Sequence, residues 1–147
     1  ETHTEWEEYG ISDKMQAWGA QYSDELRLTI NGQRFWWTHE GPKPGKGVKE
    51  GNPLRNFAAD VYWDCMKLKV QPPHMITTSH HHKNSYDAFS DSYAHTVHIE
   101  VLPSFQMKTR FGLRVSPFQR NDIGMAFNIV TAEGDIRILK PMLWTGT

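Results

Sequence analysis

The chain has a single cysteine, Cys65, so it forms no internal disulfide. It lacks any apolar run of the roughly 20 residues that a membrane-spanning helix needs. It lacks an excess of charge of either sign: sixteen Lys and Arg stand against seventeen Asp and Glu, for a formal net charge of -1. That balance indicates neither a polybasic nucleic-acid surface nor an acidic tail. Only Lys43, Lys46 and Lys49 cluster, and they sit among glycines and prolines as in a solvated loop. No N-x-S/T glycosylation acceptor is present. The first residue is Glu1, which is the expectation for a processed chain or a fragment of a larger protein. At 147 residues, a single domain of residues 1–147 buries a core large enough to need no covalent staple.

What the sequence does contain is short strand-like segments separated by turn signals. Residues 25–38 place ELRLTI and QRFWWT around Asn31-Gly32. Asn-Gly favours a two-residue type I′ turn, because both central residues need positive φ. The register follows: Ile30 opposite Gln33, Leu28 opposite Phe35, Leu26 opposite Trp37. Period two puts these apolar residues on one face, the expected core side. The other face carries Arg27, Thr29, Arg34 and Trp36. Residues 39–56 read as a long Gly/Pro/Lys loop. Residues 60–70 read as a strand in which Val61, Trp63 and Cys65 alternate with Tyr62, Asp64 and Met66, stopped by Pro72-Pro73. Residues 74–95 show no sustained periodicity and read as a polar loop. Val97, Ile99 and Val101 then alternate with His98 and Glu100, and Pro103 ends that strand. GLRVS at 112–116 reads as a further strand, and residues 123–139 as a hairpin around Glu133-Gly134. If that turn is two residues long, Phe127, Ile129 and Thr131 share a face with Ile136 and Ile138. Met15, Trp18 and Tyr22 allow one short helix. The pattern predicts an all-β fold with little helix, an antiparallel β-sandwich of jelly-roll type.

Catalytic signatures are missing. Ser, His and Asp are present without G-x-S-x-G, and GPKPGKG is not a phosphate loop. Cys65 is expected to be a buried, inert thiol. The pairs Asp60/Asp64 and Asp87/Asp91 are four residues apart, a spacing compatible with loop acids or with a calcium site. The richest cluster is histidine: His74, then His80, His81 and His82, then His95 and His98. Imidazole is the commonest transition-metal ligand. In an extended strand His80 and His82 share a face, and with His98 they would make a zinc or copper site, although no closed ligand motif is present. Six tryptophans are many for this length. Trp36, beside Arg27 and Arg34 on the polar face of its hairpin, is placed to stack on a sugar ring. The alternative is a cation–π contact with Arg27.

The segments HTVHIEVLPSF at 95–105 and NDIGMAFNIV at 121–130, with Gly134 and Leu143-Trp144 beyond them, resemble the end of the family 9 carbohydrate-binding modules and their DOMON-like relatives. The resemblance covers residues 95–147. It implies a β-sandwich, a secreted setting and carbohydrate as ligand; some relatives bind haem through Met or His. The family's opening W-x-x-D-x-V-E strand finds only Phe57-Ala58-Ala59-Asp60-Val61-Tyr62, with phenylalanine in the place of a sugar-clamping tryptophan. The clamp is therefore carried over onto no residue. The leading expectation is a secreted, non-catalytic module that binds carbohydrate through Trp36, Arg27 and Arg34. A coat-type subunit of an assembly is one alternative. The other is a metal or haem protein using residues 74–98, with calcium or zinc as the ion considered. The partner is carbohydrate or another protein subunit, with neither nucleic acid nor a membrane span expected.

Overall fold

The computed structural model describes residues 10–19, 23, 25–105 and 121–144. A short helix α1, Ile11–Ala17, starts at Gly10 in the left-handed conformation. Strands β1 (Glu25–Ile30) and β2 (Gln33–Thr38) form the expected hairpin. Asn31 and Gly32 have φ of 48° and 78°, and the register is the predicted one. A three-residue 3₁₀ turn, Gly47–Lys49, leads into helix α2, Asn52–Leu68. Strands β3 (Met75–Thr78), β4 (Ser85–Ser90) and β5 (Thr96–Val101) follow. Four three-residue strands complete the described chain: β6 (Ile123–Met125), β7 (Asn128–Val130), β8 (Ile136–Ile138) and β9 (Met142–Trp144). The GLRVS segment lies outside the described residues.

The main sheet has five strands in the order β1-β2-β3-β5-β4. Its outer pairs, β1/β2 and β4/β5, are antiparallel, whereas β2/β3 and β3/β5 are parallel. The strand-rich, helix-poor character is as expected. The all-antiparallel sandwich is not what the described residues form. The sheet is mixed, and a helix packs on one of its faces, mainly over β4 and β5. Parallel neighbours require a crossover connection, and α2 supplies it between β2 and β3.

Helix α2 corrects the strand expected over 60–70 and the loop expected up to 56. Pro53 lies in its first turn, where a missing N–H costs nothing. Leu54, Phe57, Ala58, Val61, Tyr62, Cys65 and Leu68 recur at intervals of three and four, which is the helical period. At its end Val70 N–H bonds to the Cys65 carbonyl and Lys69 N–H to the Met66 carbonyl, with Lys69 left-handed at φ 56°. This is a Schellman close with lysine where glycine is usual. Residues 74–95 also hold two strands the pattern concealed. β3 is buried along its whole length, so it shows no alternation.

The core lies between α2 and one face of the sheet. Leu54, Ala58 and Tyr62 meet Ile76, Val97, Ile99 and Val101, with Trp36, Phe57, Val61 and Phe89 packed around them. Val97, Ile99 and Val101 thus point as expected. The first hairpin is turned over relative to expectation, because α2 packs on the face that carries Trp36. Leu26, Leu28 and Ile30 of the edge strand stay 43%, 45% and 39% exposed. On the far face Phe35 and Met75 are buried, and Phe35 stacks on Trp37.

The hairpin β7–β8 is joined to that far face. Asn128 Nδ2 donates to Glu100 Oε2 at 2.9 Å, and Asn31 Nδ2 donates to the Thr131 carbonyl at 2.9 Å. Its register pairs Ile129 with Arg137 and Val130 with Ile136, so five residues, 131–135, lie between the strands rather than two. One odd residue moves every side chain to the other face. Ile129 therefore shares its face with Arg137, while Val130 aligns with Ile136. Gly134, at φ 91°, would set a Cβ 2.9 Å from the Asn31 carbonyl oxygen, so only glycine fits where the two turns touch.

Candidate functional site

A single helix about 10 Å across does not cover five strands spaced about 4.8 Å apart. Helix α2 lies mainly over β4 and β5. Beside it, over β1 and β2, a cleft of about 490 Å³ is left open among the described residues. Arg27, Arg34 and Trp36 all line it, facing Val61, Cys65 and Leu68 of α2. The three residues singled out on the hairpin therefore share one site, because period two in paired strands puts them on the same face.

The cleft is largely apolar, with Arg27, Arg34 and Asp64 as its charged lining. Trp36 is a wall rather than an open platform. Its Nε1 donates to Glu25 Oε2 at 2.9 Å, the Arg27 guanidinium lies 5.2 Å from its ring centroid, and Phe57 stacks at 6.4 Å. Arg27 is also paired with Glu25 at 3.2 Å. Arg34 is held by donation from Nε to the Pro72 carbonyl at 2.8 Å. A guanidinium has five N–H donors, so this anchored group keeps donors to offer a ligand. Cys65, expected in a strand, is on the helix and half-buried in the cleft wall. Burial pushes its thiol pKa up, against the nearby Arg27 charge, which leaves it a poor nucleophile.

The histidines expected to hold a metal are dispersed. His80 and His82 have φ of 57° and 50°, so they do not lie in an extended strand and do not alternate as one. His80 Nδ1 is 3.1 Å from His39 Nε2, and His82 Nδ1 is 3.2 Å from Asn121 Nδ2. His98 sits opposite Met75, at the far end of β3 from His80, with its Nδ1 2.7 Å from the Tyr86 hydroxyl. Among the described residues no three His, Cys, Asp or Glu side chains come together as a metal site. The Asp pairs part likewise: Asp64 binds Lys67 at 2.9 Å on the helix surface. Asp91 instead accepts from the Tyr62 hydroxyl and from the backbone N–H groups of Tyr93 and His95. The Tyr62 hydrogen bond, foremost, holds the Asp91 carboxyl below its ordinary range, and the same bond raises the Tyr62 pKa.

A second, polar cavity of about 490 Å³ lies between the sheet and the loop of β7–β8. His74, His95, His98, Gln33 and Asp135 line it. Burial lowers the pKa of His98, and burial together with the Arg34 charge lowers that of His74 to about 4. Near neutrality both rings are uncharged. Sequence reasoning found these histidines as residue types but grouped them with the wrong partners. Their meeting depends on β3 and β5 being parallel neighbours, which no local pattern announces. Trp36 and the residues 80–82 belong to different regions, with Trp36 under α2 and His80 beyond the carboxyl end of β3.

No protein-family model, curated protein or solved structure matches the chain.

Proposed function

We propose that the protein is a binding module whose ligand is a carbohydrate ring carrying an acidic group, held in the cleft between α2 and the first hairpin. One observation carries this reading: Arg27, Arg34 and Trp36 line a single cleft whose opposite wall is the aliphatic side of α2. A sugar presents an apolar C–H face and polar edges. The Val61 and Leu68 side chains with the Trp36 indole suit the first, and the guanidinium donors suit a carboxylate or sulfate on the second. The volume falls within the range of about 300–1,000 Å³ usual for small-molecule sites. The likeness of residues 95–147 to carbohydrate-binding sandwiches supports the same class.

Titration with glucuronate and with glucose, followed by tryptophan fluorescence, tests the proposal. Glucuronate is expected to give a saturable change and glucose a much weaker one. Arg34→Ala, which removes a charge-assisted contact worth about 1.5–3 kcal/mol, is expected to weaken glucuronate binding about 10- to 100-fold. Absence of any sugar response, or an Arg34→Ala variant that binds as tightly as the parent, refutes it.

A further inference from the structure

The carboxyl ends of neighbouring parallel strands are where open α/β sheets gather their reactive groups, because successive loops emerge there side by side. Here β2 ends at Thr38 and β3 at Thr78, so His39 and Ser79 emerge together. The Ser79 N–H donates to the His39 carbonyl at 3.2 Å and ties the two loops. Ser79 Oγ then lies 3.1 Å from His39 Nδ1. On the other side of the same ring, His39 Nε2 lies 3.1 Å from His80 Nδ1. His81 secures the loops once more, with Nε2 3.1 Å from the Gly41 carbonyl oxygen.

The hydrogens along this line are mutually consistent. In the Nε2–H tautomer of His39, the Ser79 hydroxyl donates to Nδ1 and Nε2–H donates to His80 Nδ1. The other acceptor within reach of the hydroxyl, the His39 carbonyl, is further away at 3.3 Å. His80 holds φ 57°, a conformation costly for a residue with a Cβ and concentrated at functional sites. Ser79 is half-buried and His80 exposed, so the line opens to solvent.

We propose that Ser79, His39 and His80 form a nucleophile, base and positioning group for hydrolysis of small carboxylic esters. Ser79 Oγ bonds to the ester carbonyl carbon while its proton passes to His39 Nδ1. The C–O bond to the leaving alcohol breaks, and that oxygen takes the proton from His39. Water then adds to the acyl-serine, gives its proton to His39, and releases the carboxylic acid as Ser79 recovers its proton. His80 acts through His39, accepting from Nε2–H to hold the tautomer whose Nδ1 lone pair faces the serine.

The experiment is labelling of the full chain with a fluorophosphonate, peptide mapping by mass spectrometry, and turnover of p-nitrophenyl acetate. The label is expected on Ser79. Ser79→Ala and His39→Ala, checked as folded by circular dichroism, are expected to lose the label and about 100-fold or more in kcat. His80→Leu is expected to lower kcat about tenfold at unchanged KM, and His80→Asn, which restores an acceptor, to recover most of it. A purely structural role for His80 would not distinguish these two variants. An unlabelled parent protein, label on another residue, or full turnover by Ser79→Ala overturns the proposal. The parent's labelling site needs no variant and decides the matter even if a substitution unfolds the chain.

Discussion

His74 carries an imidazole that the fold keeps neutral. The backbone N–H of Arg34 donates to its Nδ1 at 3.0 Å, and the Arg34 guanidinium lies 3.4 Å from its Nε2. A second proton would have to displace that bond beside the Arg34 guanidinium. Burial first, then Arg34, His95 and His98, bring the pKa to about 4 from 6.5. The sign follows from linkage. Between about 4 and 6.5 the unfolded chain binds a proton that the folded chain does not, so acid favours unfolding. The His74 contribution is therefore complete above pH 6.5 and is lost as pH falls toward 4. Urea unfolding across that range is expected to show stability declining with acid, and His74→Gln is expected to flatten part of the slope. At this scale the sequence was informative about kind and silent about partners. Asn31-Gly32 named its own turn, since only small or amide residues accept two successive positive φ values. His80, His82 and His98 named a chemistry, but the left-handed backbone at two of them sends the rings to His39 and Asn121 instead.

Helix α2 is the element that most changes the picture. Between residues 60 and 70 the residues admit a period-two reading, and β-branched and aromatic side chains favour it. Extended back to Leu54, the buried apolar residues follow helical spacing, with Trp63 and Met66 on the exposed side, and Pro53 marks the start. The long loop expected over 39–56 hid that first turn. The helix stabilises through its buried stripe, not along its whole length. Leu54 is fully buried, whereas Leu68 is 74% exposed at the cleft. Leu54→Ala is expected to cost about 2–5 kcal/mol, as for other buried leucines, and Leu68→Ala about 0.5 kcal/mol or less. Chemical denaturation of the two variants checks the contrast; equal losses would refute the placement of the stripe. β5 was read correctly in both extent and facing because it turns one face to the core; β1 and β2 were read in extent and register through their turn, but not in which face is covered. β3 escaped because burial on both sides erases alternation.

At the scale of the whole molecule, the described residues layer as helix, sheet and short two-stranded ribbons, and Glu100 connects the sheet to the β7–β8 ribbon. It is 1% exposed, and its carboxyl oxygens accept from Asn84 Nδ2 at 3.3 Å and Asn128 Nδ2 at 2.9 Å. Glu100→Leu roughly keeps the volume but removes the acceptor of the Asn128 amide, at a cost of about 1–3 kcal/mol, while Asn84 Nδ2 keeps its bond to the Val101 carbonyl. Hydrogen exchange is expected to accelerate most in residues 128–138, with the α2 amides little changed; uniform acceleration would show that Glu100 does not hold the hairpin. The sequence by itself determined the strand-rich class, the first hairpin with its register, and the residue types available for chemistry, because turns and alternation are written in neighbours a few positions apart. Only the tertiary structure decided that β2, β3 and β5 run parallel, that α2 covers the face bearing Trp36, and that Ser79 meets His39. Those contacts join residues about twenty to forty positions apart, and they exist only once burial of the α2 stripe has fixed which strands lie side by side.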